Sequence, residues 1–110
     1  MIIDRDGNIT IITQEKVSII DLVKKIEADY STYKNTHLVI NLTSLTSFSL
    51  QDFVEFLRLS NKHRGAKKSF VIVSDKSNLD EIPDEIVVVP KMQEAFDIIE
   101  MEDIERDLGF

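Results

Sequence analysis

The 110-residue chain contains no cysteine. That excludes a disulfide framework and a thiolate zinc site, and it suits a reducing cytosol. Glycine is scarce: Gly7, Gly65 and Gly109 each read as a turn or cap, so there is no glycine-rich phosphate loop. The two histidines, His37 and His63, stand in neither an HxH nor an HExxH spacing. Each reads as a loop or helix-end residue, structural or solvated. No apolar run approaches the roughly 20 residues of a membrane span, and the start "MIIDRDGN" is strand-like rather than a signal peptide. Positive charge is also short, with 13 Lys and Arg against 20 Asp and Glu and a net charge of −7. A phosphate backbone is repelled on average, so neither nucleic acid nor membrane is expected as a partner.

What is present is a globular composition, 43% hydrophobic and 30% charged. The length fits one domain over residues 1–110, able to bury roughly 65% of its unfolded surface. One basic run, "KHRGAKK" from Lys62 to Lys68, breaks the acidic trend. It reads as a helix end, where cations suit the dipole and Gly65 serves as the cap.

"IIDRDGNITII" predicts a hairpin turning at Asp6-Gly7, with Ile9, Ile11 and Thr13 on one face of the second strand. "VSIIDLVKKIEADYSTY" predicts a helix capped by Ser18 with Asp21, its stripe being Ile19, Leu22, Val23, Ile26, Tyr30 and Tyr33. "HLVINLT" and "SFVIVSD" are buried strands. Between them "SLQDFVEFLRLSNKHRG" is a helix with an apolar face of Leu50, Phe53, Val54, Phe56 and Leu57, continued weakly by Ser60 and Asn61. A polar stretch around Pro83 leads to a short strand, Ile86 to Val89. Pro90 opens the last helix, whose stripe is Met92, Ala95, Phe96 and Ile99. The stripe then shifts to Met101, Ile104 and Leu108, which predicts a bend or a second short helix. The order β-β-α-β-α-β-β-α implies an α/β fold: an N-terminal hairpin joined to right-handed βα crossover units, in a mixed sheet covered by helices.

Catalytic chemistry is hard to find. Asp75 ends a parallel strand, but stands alone. The acidic residues of the last helix spread around a solvated face rather than converging on a metal. No cofactor is expected, and the enzyme reading is poor. The hydroxyl-rich stretch "TSLTSFS" before the second long helix is the feature that asks for a role. Ser49 sits at the N-cap position, with Asp52 placed to return a bond. Thr43, Ser44, Thr46 and Ser47 read as the polar loop between two buried elements.

"DGNITII", "HLVINLTSLTSFSLQDFVEFLRLSNKHRGAKKSFVIVS" and "MQEAFDII" together resemble the STAS domain, shared by anti-sigma factor antagonists and the cytoplasmic tails of sulfate transporters. The family's middle segment runs from an apolar strand through Asp-Leu-Ser and an apolar bridge to Asp-Ser-Ser-Gly and a Leu-rich helix. Asn41-Leu42-Thr43 falls on the first motif and Ser49-Leu50-Gln51-Asp52 on the second. The phosphoacceptor serine of the family therefore corresponds to Gln51, which has no hydroxyl. The segment between the last two strands is too short for the helix usual there, and residues 101–110 run beyond the usual family end.

The resemblance implies a regulatory protein-interaction module of the bacterial cytoplasm, working without phosphorylation. Its candidate contacts are Ser47, Ser49, Gln51, Asp52 and Glu55. The implied partner is a protein, a kinase or an anti-sigma-like protein being the family's example. Three alternatives stand beside it. Ser47 or Ser49 is phosphorylated and releases the partner. A small molecule or lipid occupies a pocket lined by Phe48, Phe53, Phe56 and Phe70. A homodimer forms through Met101, Ile104, Leu108 and Phe110.

Overall fold

The computed structural model describes the chain apart from residues 16–17, 46–49, 76–81 and 110. Its elements are β1 (Ile2–Asp6), β2 (Ile9–Thr13), α1 (Ile19–Ala28), α2 (Tyr30–Tyr33), β3 (His37–Asn41), α3 (Leu50–Gly65), β4 (Phe70–Val73), β5 (Val87–Val89) and α4 (Met92–Asp107). The strands form one sheet in the order β1-β2-β3-β4-β5. β1 runs antiparallel to β2, while β2 to β5 are parallel. This is the expected mixed sheet with the hairpin at one side.

The hairpin turns one residue later than its sequence suggests. Asp6 pairs with Ile9, so the turn residues are Gly7 and Asn8. Gly7 takes φ 60 and Asn8 is not left-handed. A single left-handed residue at the first central position is the pattern of a II′ loop, where glycine is required.

Side-chain alternation divides the core into two. Ile12, Leu38, Ile40, Phe70 and Ile72 pack beneath α1 and α3, against Leu22, Ile26 and Phe56. Val39, Val71, Val73 and Val89 face Ala95 and Ile99 of α4. β3 and β4 are thereby covered on both sides, as their unbroken apolar runs require. α4 lies over β3, β4 and β5. The same face of β1 and β2 extends past it, leaving Ile11 half-buried and Ile2 exposed.

The helices refine three expectations. The Asp21 amide donates to Ser18 Oγ at 3.2 Å, giving the cap, but the predicted single helix is interrupted at Asp29 and resumes as α2. On α3 the buried face runs through Phe53, Phe56, Leu59, Ser60 and His63, whereas Val54, assigned to the apolar face, is 40% exposed. α4 runs unbroken past Glu100, with no second short helix before Asp107. Its sheet-facing side continues at helical spacing from Ala95 and Ile99 to Glu102, Asp103 and Arg106, which are half-buried. The apolar stripe shifts because polar residues take over the inner face, and Met101, Ile104 and Leu108 point outward.

Both histidines are buried and hydrogen-bonded, so the structural half of their reading holds and the solvated half does not. The carbonyl of Thr36 can only accept, so His63 Nε2–H donates to it at 2.7 Å. His63 Nδ1 then accepts from the Tyr30 hydroxyl at 2.7 Å. On the next residue, His37 Nδ1 accepts from the Ser69 amide at 2.9 Å, and Nε2–H donates to Asp103 at 3.1 Å. Arg106 donates to Asp103 at 3.0 Å and to Ser69 Oγ at 2.8 Å. Arg64 reaches from α3 to Glu102 at 2.9 Å and to the Phe70 carbonyl at 3.0 Å. The start of β3 is thus bonded to both helical layers at once.

Burial holds His63 neutral and pulls its pKa down to about 4, against the upward pull of the Thr36 carbonyl. Burial also lowers His37, outweighing its Asp103 neighbour. An imidazole neutral in the fold but titrating near 6.5 when unfolded stabilises the protein fully above that pH. The contribution is lost as pH falls from 6.5 toward 4.

α3 ends in a Schellman motif: the Lys68 amide donates to the His63 carbonyl and the Lys67 amide to that of Arg64. The left-handed residue is Lys67, with φ 65, and not Gly65, which lies inside the helix. A β-carbon is strained there.

Two predictions follow from these contacts. Lys67→Gly is expected to raise unfolding free energy by about 0.5–1 kcal/mol in urea titrations. In the same assay the wild type should lose about 2 kcal/mol more than His63→Gln between pH 7 and pH 5. Equal losses would remove His63 as the acid-sensitive group.

Candidate functional site

The candidate surface begins where β3 leaves the sheet. Leu42 is buried and its amide donates to the Val73 carbonyl at 2.9 Å. Asn41 Oδ1 then accepts from the Thr43 amide at 3.1 Å and the Thr43 hydroxyl at 2.8 Å. This Asx turn explains why Asn and Thr suit these two positions. The Leu45 amide donates to the Leu42 carbonyl at 3.1 Å, and Leu45 packs against the core. Thr43 is therefore an internal brace, as its bland reading holds, while Ser44 is exposed. Ser47 and Ser49, with Thr46 and Phe48, lie outside the described residues, as does the expected Ser49 cap.

The remaining candidates share the first two turns of α3. Gln51 is exposed, and its Nε2 donates to Glu55 Oε1 at 3.2 Å. Asp52 is half-buried in the first turn, where a carboxylate complements the helix dipole. Val54 and Arg58 extend the Gln51–Glu55 face at helical spacing. Arg58 Nη2 donates to both carboxylate oxygens of Glu27 on α1, at 2.8 and 2.9 Å. That pair raises the Arg58 pKa through its hydrogen bond and charge. The surface is an apolar spot flanked by an amide, a carboxylate and a guanidinium. Val54 was missed because a valine beside Phe53 reads as core; its register with Gln51 and Arg58 was the available signal.

Gln14 was also missed. It follows β2, its amide donates to the Asn41 carbonyl at 3.1 Å, and its buried Oε1 has no hydrogen-bond partner among the described residues. Asp75 is exposed at the end of β4. Phe53, Phe56 and Phe70 are buried in the core, Phe56 and Phe70 with ring centres 6.0 Å apart. Among the described residues, no group of three or more His, Asp or Glu side chains is placed to hold a metal ion. No described helix is long and apolar enough to cross a membrane.

No family model and no curated protein matches the chain. One similar solved structure is a chain from "Molecular architecture of the stressosome, a signal integration and transduction hub". The likeness covers 89% of this chain and 95% of that one, at a TM-score of 0.64 and 14% identity. The fold is STAS-like. The hairpin, parallel crossovers and helical cover all fit that class.

Asn41→Ala removes both bonds of the Asx turn and is expected to cost about 1 kcal/mol. Gln51→Ala and Glu55→Ala should stay within roughly 0.5 kcal/mol of wild type. Parallel urea titrations check the contrast between a brace and a free surface.

Proposed function

We propose that the protein is a non-catalytic regulatory module that binds another protein through the start of α3 and the loop before it. The observation that carries this reading is the fold likeness to the stressosome chain, nearly end to end. The site's chemistry supports it. Gln51, Val54 and Glu55 offer a small apolar centre with polar neighbours on a rigid helix, which is the usual make-up of an interface rim and core. The buried face of α3 holds that surface in place before any partner arrives. Ser47, Ser49 and Asp52 belong to the proposed contact.

Phosphate plays no part at position 51. A phosphoserine there would meet the free amides of the helix start and carry charge into the interface. Glutamine offers neither the hydroxyl nor the charge, so recognition is by shape and hydrogen bonding. The proposed setting is the bacterial cytoplasm.

Glu55→Lys combined with Gln51→Ala is expected to weaken retention of the native partner roughly tenfold in quantitative pull-downs from the source cell, equivalent to about 1.4 kcal/mol. Retention equal to wild type would count against this surface.

A further inference from the structure

We propose that the groove between the β1–β2 turn and α4 is a second docking site, for a basic amphipathic helix of another protein. The turn and the outer flank of α4 enclose an open groove of about 500 Å³. Ile9, Phe96 and Ile104 give it apolar walls, and Asp6, Glu100 and Asp107 stand along it. It exists because α4 packs mainly on β3, β4 and β5, so β1 and β2 extend past its cover. Met101, Ile104 and Leu108 continue the apolar surface along α4, exposed by 52%, 54% and 67%. Their helical spacing presents one anchor per turn, which suits a helix laid alongside.

Charge selects the occupant. α4 carries seven carboxylates against one arginine. A second copy placed on this face would bring two such helices together, and like-charge juxtaposition across an interface is costly. An anionic lipid surface or a nucleic acid is opposed for the same reason. A helix with an apolar stripe flanked by Lys or Arg gains on both counts. Asp103 is already engaged by His37 and Arg106, so Asp6, Glu100 and Asp107 are the carboxylates that meet the partner.

This site is separate from the start of α3. The hairpin turn adjoins the N-terminal end of β3, where the His37 amide donates to the Asn8 carbonyl at 2.8 Å. The first surface follows the opposite end of that strand.

The probe is a synthetic labelled peptide with leucines at helical spacing, flanked by lysines, titrated into the full chain by fluorescence anisotropy at physiological ionic strength. Saturable binding is expected, roughly tenfold weaker in Ile104→Arg and in Glu100→Lys. A peptide of the same composition with scrambled leucines should not bind. Amide shifts in two-dimensional NMR should cluster at Asp6–Ile9 and along α4. Both substituted side chains are solvent-exposed, and circular dichroism checks that the variants fold. Glu55→Lys should leave peptide binding unchanged, which separates this site from the α3 surface. No binding, equal binding of the scrambled peptide, unaffected variants or shifts elsewhere would overturn the proposal. So would a wild-type dimer dispersed by Ile104→Arg, because the occupant would then be a second copy.

Discussion

The fold is organised around two adjacent residues at the start of β3. The Thr36 carbonyl takes a hydrogen bond from His63 on α3, and the His37 ring bonds Asp103 on α4. The sheet here carries helices on opposite faces, and hydrophobic packing alone allows each to slide or rotate. Directional bonds in a desolvated setting remove that freedom, because a misplaced helix would leave buried polar groups unpaired at about 1–3 kcal/mol each. Tyr30 completes the support. Its hydroxyl bonds His63, while the Lys62 ammonium sits 4.3 Å from its ring centre. Four elements therefore meet at one end of the sheet.

That anchoring determines what the far end of α3 can do. Gln51 lies about 18 Å along the helix from His63, given 1.5 Å per residue. A helix pinned at His63 and packed along Phe56 and Leu59 presents its first turns with little orientational freedom. Pre-ordering of this kind lowers the entropy cost of association. The histidines thus support the proposed surface through geometry alone, at a distance from it.

How far the residues announced this outcome depends on the kind of signal. Element order and the two faces of the sheet were legible, because period-two and helical patterns report burial directly. Boundaries set by single backbone conformations were less so: Asp6-Gly7 and Gly65 are strong local signals, yet the turn fell on Gly7-Asn8 and the left-handed cap on Lys67. Tertiary polar contacts were invisible. His37 and Asp103 are far apart in sequence, and nothing local says that a helix will exchange its apolar inner face for ion pairs after Ile99. The phase slip after Glu100 was a true signal read through the wrong mechanism. At the candidate site Gln51 was proposed from its register with a known pattern and Glu55 from the expected exposed edge of the helix, while Val54 needed the helix's actual rotation.

The charge distribution supplies the last step. Lys62, Arg64 and Arg106 are held by Tyr30, Glu102 and Asp103, so these cations are engaged by the molecule's own side chains. What remains on the outer face of α4 is acid around an apolar stripe. On α3 the exposed stripe is mixed in sign, with Glu55 and Arg58 on either side of Val54. In the proposed reading the α4 face selects by field, favouring cationic partners over copies of itself, and the α3 face selects more by local shape and hydrogen bonding. If both proposed surfaces are used, their separation at opposite ends of β3 leaves neither partner competing for the other's surface.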